Sequence, residues 1–264
     1  MRGRLLSAIG LVLLLAGGGT AGAADDGLAR ARQLYNEQRF EAAVLAAEEA
    51  RTPERSDSVD LITARAFLER FRESASVDDL TRARERLRRL NPDRLNPGER
   101  VEYLVGLGEH LFLEGLPGAA ANIFDNVLTS APALSTQSRE RVLDWWAHAL
   151  DLEARPLGEL DRHPFYQRVR ERMRDELSMN PDSAVAPFWL AAAASGQGDH
   201  RAAWDAALAA WVRAPLNDDR GGELRNQLDR LVLEVVVPQR ARAQAQSPEV
   251  FQQEWEAFKA RWSR

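Results

Sequence analysis

The chain has 264 residues, a formal net charge of −5 at neutral pH and no cysteine. Disulfides, thiolate metal sites and cysteine nucleophiles are therefore excluded, and the mild acidity argues against a nucleic-acid surface. Lys259 is the only lysine; arginine-favouring codon usage explains that bias without a phosphate-recognition role.

At the N-terminus, Arg2 and Arg4 precede an apolar run over 5–15, followed by Gly17, Gly18, Gly19 and the small residues Ala21 and Ala23. This order predicts a cleaved signal peptide over 1–23, cut after Ala23, and hence a periplasmic or secreted protein. The run is well short of the ~20 residues that span a bilayer, so no stable membrane span is expected in the mature chain. With no cysteine after it, a lipid-modified N-terminus is excluded. Loss of Arg2 and Arg4 takes the net charge from −5 to −7.

Beyond the leader, alanine, leucine, arginine and glutamate dominate, all good helix formers, and proline and glycine punctuate the helical patterns. The β-branched run Val235, Val236, Val237 is closed by Pro238. The expected fold class is all-α, with about five helix pairs over 24–216 and further helices over 217–264. The first pair falls within 31–50, where Ala31, Leu34, Phe40, Ala43, Ala47 and Ala50 hold the apolar places. The second joins 64–71 to 78–92 through a slightly long turn. The third is the clearest. Leu104, Leu107, Gly108 and Leu111 share one face of a helix over 101–114. Gly115 can take the left-handed backbone that ends it, and Pro117 suits the first turn of the next. Ala120, Ile123, Phe124 and Val127 line that second helix and Pro132 follows it. Gly108 costs about 1 kcal/mol inside a helix relative to alanine. Close approach to Ala120 is the expected reason for it. The fourth pair joins 144–152 to 165–181 across an insert over 153–164, and the fifth spans 188–215, with Gly198 and Asp199 at its turn.

These segments resemble tetratricopeptide repeats. The family pattern is a large residue, leucine, glycine and tyrosine on the first helix, then alanine, phenylalanine and alanine on the second, with proline closing a unit of about 34 residues. Leu104, Leu107, Gly108, Leu111, Gly115, Ala120, Phe124, Val127 and Pro132 match it well. The copy ending at Pro215 matches on its second helix. The others are degenerate, with Arg84 where an aromatic or small apolar residue is usual. The resemblance implies a right-handed superhelical solenoid whose first helices line a concave groove. Carried over position by position, it turns Arg32, Tyr35, Arg65, Glu69 and Arg72 toward that groove, and with them Glu102, Val105, Glu109, Phe112 and Phe188. The family's carboxylate clamp uses lysine and asparagine where Leu28 and Arg32 stand, so that specificity is not expected. Another helical solenoid or a compact bundle is the alternative packing.

Past 216, Leu224, Leu228, Leu231 and Val235 form one stripe, and Phe251, Trp255, Phe258 and Trp262 another. Ser247 is the expected N-cap of the last helix, with Pro248 in its first turn. The aromatic stripe reads as a helix capping the last repeat; the sharper alternative is partner or membrane docking, for which Lys259, Arg261 and Arg264 give little charge.

For chemistry the chain offers little. His148 with Asp144 has ligand spacing but no third partner. The pairs Asp25-Asp26, Asp78-Asp79 and Asp218-Asp219 are adjacent acids, two of them ahead of helical patterns. Arg82, Arg84, Arg86, Arg88 and Arg89, and Arg168, Arg170, Arg172 and Arg174, read as solvated helix faces, or else as a patch for an anionic partner. No phosphate loop, nucleophile elbow or HExxH occurs. The expectation is a non-catalytic scaffold of the bacterial envelope that binds a protein or peptide, with no metal or cofactor. The rival is a sugar-polymer hydrolase on a helical toroid, with acids brought together from distant helices.

Overall fold

A computed structural model of the chain describes residues 25–130, 134–217 and 221–262. The leader expected over 1–23, with Pro132, Asp218, Asp219 and Arg264, lies outside the described residues. Among those described, every regular element is helical: thirteen α-helices, 3-10 turns at Pro92–Arg94 and Ala214–Leu216, and a π turn at Val232–Val236. Two compact units meet in sequence at Val142 and Leu143.

The first unit contains α1 (Asp25–Asn36), α2 (Phe40–Glu49), α3 (Ser56–Ser74), α4 (Val77–Arg89), α5 (Pro97–Leu113) and α6 (Pro117–Ser130). Each odd-numbered helix packs against the even one after it, and α3 also touches α1 and α5. A residue at positive φ ends the first helix of each pair: Gln38 at 61°, Ala75 at 55° and Gly115 at 80°. The second turn is shorter than expected, because α3 runs on to Ser74 and α4 begins at Val77. Separate apolar clusters join these helices: Ala31, Leu34 and Phe40 pack with Ala43, Ala47, Val59 and Ile62, while Phe67 and Leu68 pack on Ala83. Helix α5 starts on a capping box, in which the Asn96 side chain accepts from the Glu99 N–H and the Glu99 carboxylate accepts from the Asn96 N–H. Gly108 does permit a close approach, but the neighbour is Phe124; a Cβ there would lie 2.6 Å from the ring.

In the second unit, α7 (Thr136–Ala154) enters across the boundary. It is followed by α8 (Glu159–Met179), α9 (Val185–Gly196), α10 (His200–Arg213), α11 (Gly221–Leu231), α12 (Val237–Gln244) and α13 (Pro248–Trp262). The insert expected over 153–164 is mostly helix. Gly158 caps α8, which absorbs Pro164 within its second turn, where the missing N–H removes one hydrogen bond without stopping the helix. The Tyr166 hydroxyl donates to Asp151 at 3.1 Å, tying α8 to α7. Pro238 does not close a segment either. The π turn runs straight into α12, and its wider loop accommodates a residue that lacks a donor. It also rotates the apolar stripe: Val232 and Val236 are buried, while Val235 is exposed.

Candidate functional site

The first helices of the first three pairs bring nine of the ten expected groove residues into one row. Arg32 and Tyr35 lie on α1, Arg65, Glu69 and Arg72 on α3, and Glu102, Val105 and Glu109 on α5. The helical repeat aligns them: four- and three-residue steps return a side chain to the same face. Phe112 continues the α5 row and is half-buried. Phe188 lies in the other unit, on α9, buried edge-on to Trp189.

Most of this row is interior. Tyr35, Arg65, Glu69, Val105 and Glu109 are buried, Glu69 at 0% exposure and Glu109 at 1%. The Arg72 guanidinium donates to both Glu69 oxygens, at 3.0 and 3.2 Å. Arg65 donates to the Tyr35 hydroxyl at 3.3 Å, and that hydroxyl lies 3.4 Å from Glu69. Arg65 Nε faces Glu109 Oε2 at 3.5 Å. Both atoms lack a hydrogen-bond partner. Nearer the surface, Arg32 pairs with Glu99 at 2.5 Å. Two residues of this network escape the repeat pattern. Glu99 serves both its cap and Arg32. Gly106 clears the path of Arg65, whose Cδ would lie 2.8 Å from a Cβ at that position. A second helical glycine two residues before Gly108 was the available signal for it.

The electrostatics follow from burial. Removal from water pushes the Glu69 carboxyl up to about 7, partly opposed by Arg72, with Glu109 adding repulsion. Glu102 is raised for the same first reason, against the pull of Arg65 and Arg32. Burial raises the Tyr35 hydroxyl, so it stays a donor. Burial disfavours the Arg65 cation, yet Glu109 holds it above its ordinary value.

Two clefts of this unit lie elsewhere. One of about 400 Å³ is lined by Arg30, Leu34, Glu37, Arg39, Leu45 and Glu49. Another of about 560 Å³ is lined by Phe40, Leu45, Arg70 and Glu73, among others. Neither includes Glu69 or Glu109.

The arginine faces are largely engaged. Arg86 pairs with Glu48 and Asp60 at 2.6 and 2.7 Å, Arg84 with Glu114 at 3.2 Å, and Arg82 stacks over Phe67. Arg168 and Arg172 lie over Trp146, and Arg170 binds Asp199. Asp79 meets Arg70 at 3.3 Å. Asp144 accepts the Trp189 indole N–H at 2.7 Å, and His148 sits beside that ring. Among the described residues no three possible ligands group as a metal site, and no helix is long and apolar enough to cross a membrane.

On α13, Phe251 and Trp255 are buried, while Trp262 is exposed. Trp255 packs edge-on to Trp204 and Trp211 of α10 and donates to Asp229 at 2.7 Å. Lys259 binds the same carboxylate at 2.6 Å. The Ser247 hydroxyl pairs with the Glu249 carboxylate instead of a backbone N–H.

Comparison with known proteins yields no matching family model, no matching curated protein and no matching solved structure.

Proposed function

We propose that the chain is a non-catalytic, tetratricopeptide-like scaffold of the bacterial envelope, a right-handed solenoid that seats a protein or peptide against α1, α3 and α5. The observation that carries this reading is the contact of these first helices in sequence order, α1 on α3 and α3 on α5. That order leaves the row's accessible residues on α1 and α5, with α3 largely buried between them. The buried arginine–glutamate row stiffens the face, and Arg32, Glu102 and Phe112, which keep access to solvent, make the contacts. A mixed surface with one aromatic anchor suits a polar peptide. The leader features at Arg2, Arg4 and Ala23 support export, and α13 serves as the cap of the last repeat.

The test is a displayed peptide library screened on the purified full chain and on an Arg32→Ala, Phe112→Ala variant whose circular dichroism matches the parent. Arg65 is unsuitable for substitution, since at 3% exposure it holds the interior together. Selected peptides should lose at least about tenfold in affinity, equivalent to about 1.4 kcal/mol. Full affinity in the variant, or no selective binder at all, would remove the groove.

Glu69 and Glu109 favour one rival, the sugar-polymer hydrolase, because two buried carboxyls with one raised to about 7 are what an acid–base pair requires. Against it, Arg72 and Arg65 engage these carboxyls and neither lines a described cleft. Release of soluble sugar from cell-wall polysaccharide, abolished in Glu69→Gln, would replace the scaffold reading.

A further inference from the structure

The outer side of α2 is shaped to receive a copy of itself. Leu45 stands there as a knob, 61% exposed. It separates two clefts, and Arg39, Ala42 and Leu45 line both of them. The cleft on the α1 side has an apolar floor of Leu34, Ala42 and Ala46. Steps of three and four residues put Arg39, Ala42, Ala46 and Glu49 along one face of α2. Knob and hollow therefore lie side by side on one short helix.

The strip ends in opposite charges. Arg39 is the N-cap residue of α2 and Glu49 its last residue. Arg39 faces Glu37 at 3.6 Å, with both side chains well exposed. Glu49 is exposed and makes no ion pair among the described residues. Arg30 and Glu37 also line the α1-side cleft, so its charged groups balance.

Opposite ends and a central knob specify the occupant. A second α2 running antiparallel, with a two-fold axis beside Val44, sets Ala42 against Ala46 of the second copy. The same axis sets Arg39 against Glu49 of the second copy, because both pairs are centred on Val44. Small side chains at the crossing let the two helices approach closely. A parallel copy would instead oppose like charges at both ends. We propose that α2 is a self-association surface. Two copies of the chain pair antiparallel through it, with Leu45 of each seated in the α1-side cleft of the other. A two-fold contact makes every such pairing twice, and balanced charges spare it the cost of burying an unpaired ion. This surface shares no residue with the row on α1, α3 and α5, so its test is independent of the peptide-binding reading.

The experiment is sedimentation of the full chain from about 1 µM to about 500 µM. The parent should form a dimer with rising concentration, and added salt should weaken it. Leu45→Glu should remain a monomer. Arg39→Glu and Glu49→Arg should each weaken association at least about tenfold. An equal mixture of these two variants should regain it, since each then supplies the charge that the other needs. Both reversals place a charge that favours α2 itself, an acid at its N-terminus and a base at its C-terminus, so lost association is not lost folding; circular dichroism verifies this. A parent that stays monomeric throughout overturns the proposal and leaves the strip to another protein's helix. It is equally overturned if Leu45→Glu associates like the parent, if the single reversals change nothing, or if their mixture associates no better than either alone.

Discussion

At the scale of single residues, Gly108 and Gly222 make opposite predictions from the same substitution. Alanine gains about 1 kcal/mol over glycine in a helix interior. At Gly222, the second residue of α11, nothing lies within 4 Å of a new Cβ, so Gly222→Ala should stabilise the protein, by about 0.5 kcal/mol. At Gly108 the new Cβ would sit 2.6 Å from the Phe124 ring, which is fully buried. Overpacking there costs about 1–3 kcal/mol and outweighs the gain in propensity, so Gly108→Ala should be less stable. Urea midpoints of the two variants against the parent check both signs. The need for a small residue at 108 was legible, because its helical cost demands a compensation. The neighbour was not, because helix spacing gives a face but not the axial offset between two helices, and Phe124 stands where Ala120 was expected. Gly106 was overlooked for a related reason: a glycine that accommodates a long Arg65 stem leaves no apolar pattern.

At the scale of elements, the helical hairpins were legible where glycine or proline marked their turns, as at Gly115 and Pro117. They were blurred where another residue took the left-handed conformation. Ala75 has φ 55° and ends α3, a geometry that costs an L-residue roughly 1–2 kcal/mol. With no glycine to mark it, the turn before α4 reads as longer than it is. Ala75→Gly should therefore raise stability, by about 1 kcal/mol, and Gly115→Ala, at φ 80°, should lower it by about as much. Thermal midpoints measured under identical conditions decide this, and equal effects of the same sign would show that the turns are not under backbone strain. Proline misled in the other direction. Pro164 and Pro238 both read as breaks, yet one sits near a helix start and the other follows a π turn. A π turn leaves no composition signal, so the shift that buries Val236 and exposes Val235 could not be read from spacing.

At the scale of the whole chain, an all-helical protein was evident from composition and period, and the convergence of Arg32, Tyr35, Arg65, Glu69 and Glu109 followed from placing first helices side by side. Their burial did not follow, since a helix with neighbours on several sides has no face reserved for solvent: α3 packs on α1, α2, α4 and α5. The C-terminal aromatic stripe gives the corresponding test for residues 143–264. Trp255 is wholly buried, between the α10 indoles and Phe258. It also supplies a donor to Asp229. Trp255→Ala removes that donor and opens a large void, and such a change costs about 3–5 kcal/mol. Trp255→Phe keeps most of the volume and loses mainly the hydrogen bond, a loss of about 0.5–1.5 kcal/mol or somewhat more beside a carboxylate. Asp229 also holds Lys259, so its charge stays compensated in both variants. The chain's seven tryptophans all follow Val142, and indole emission therefore reports this unit directly. Emission-detected urea midpoints should fall slightly for Trp255→Phe and far for Trp255→Ala, with a red shift in the native spectrum of the alanine variant as Trp204 and Trp211 meet water. Parent-like midpoints in both variants would mean that α13 rests on the surface of α10 without sealing it.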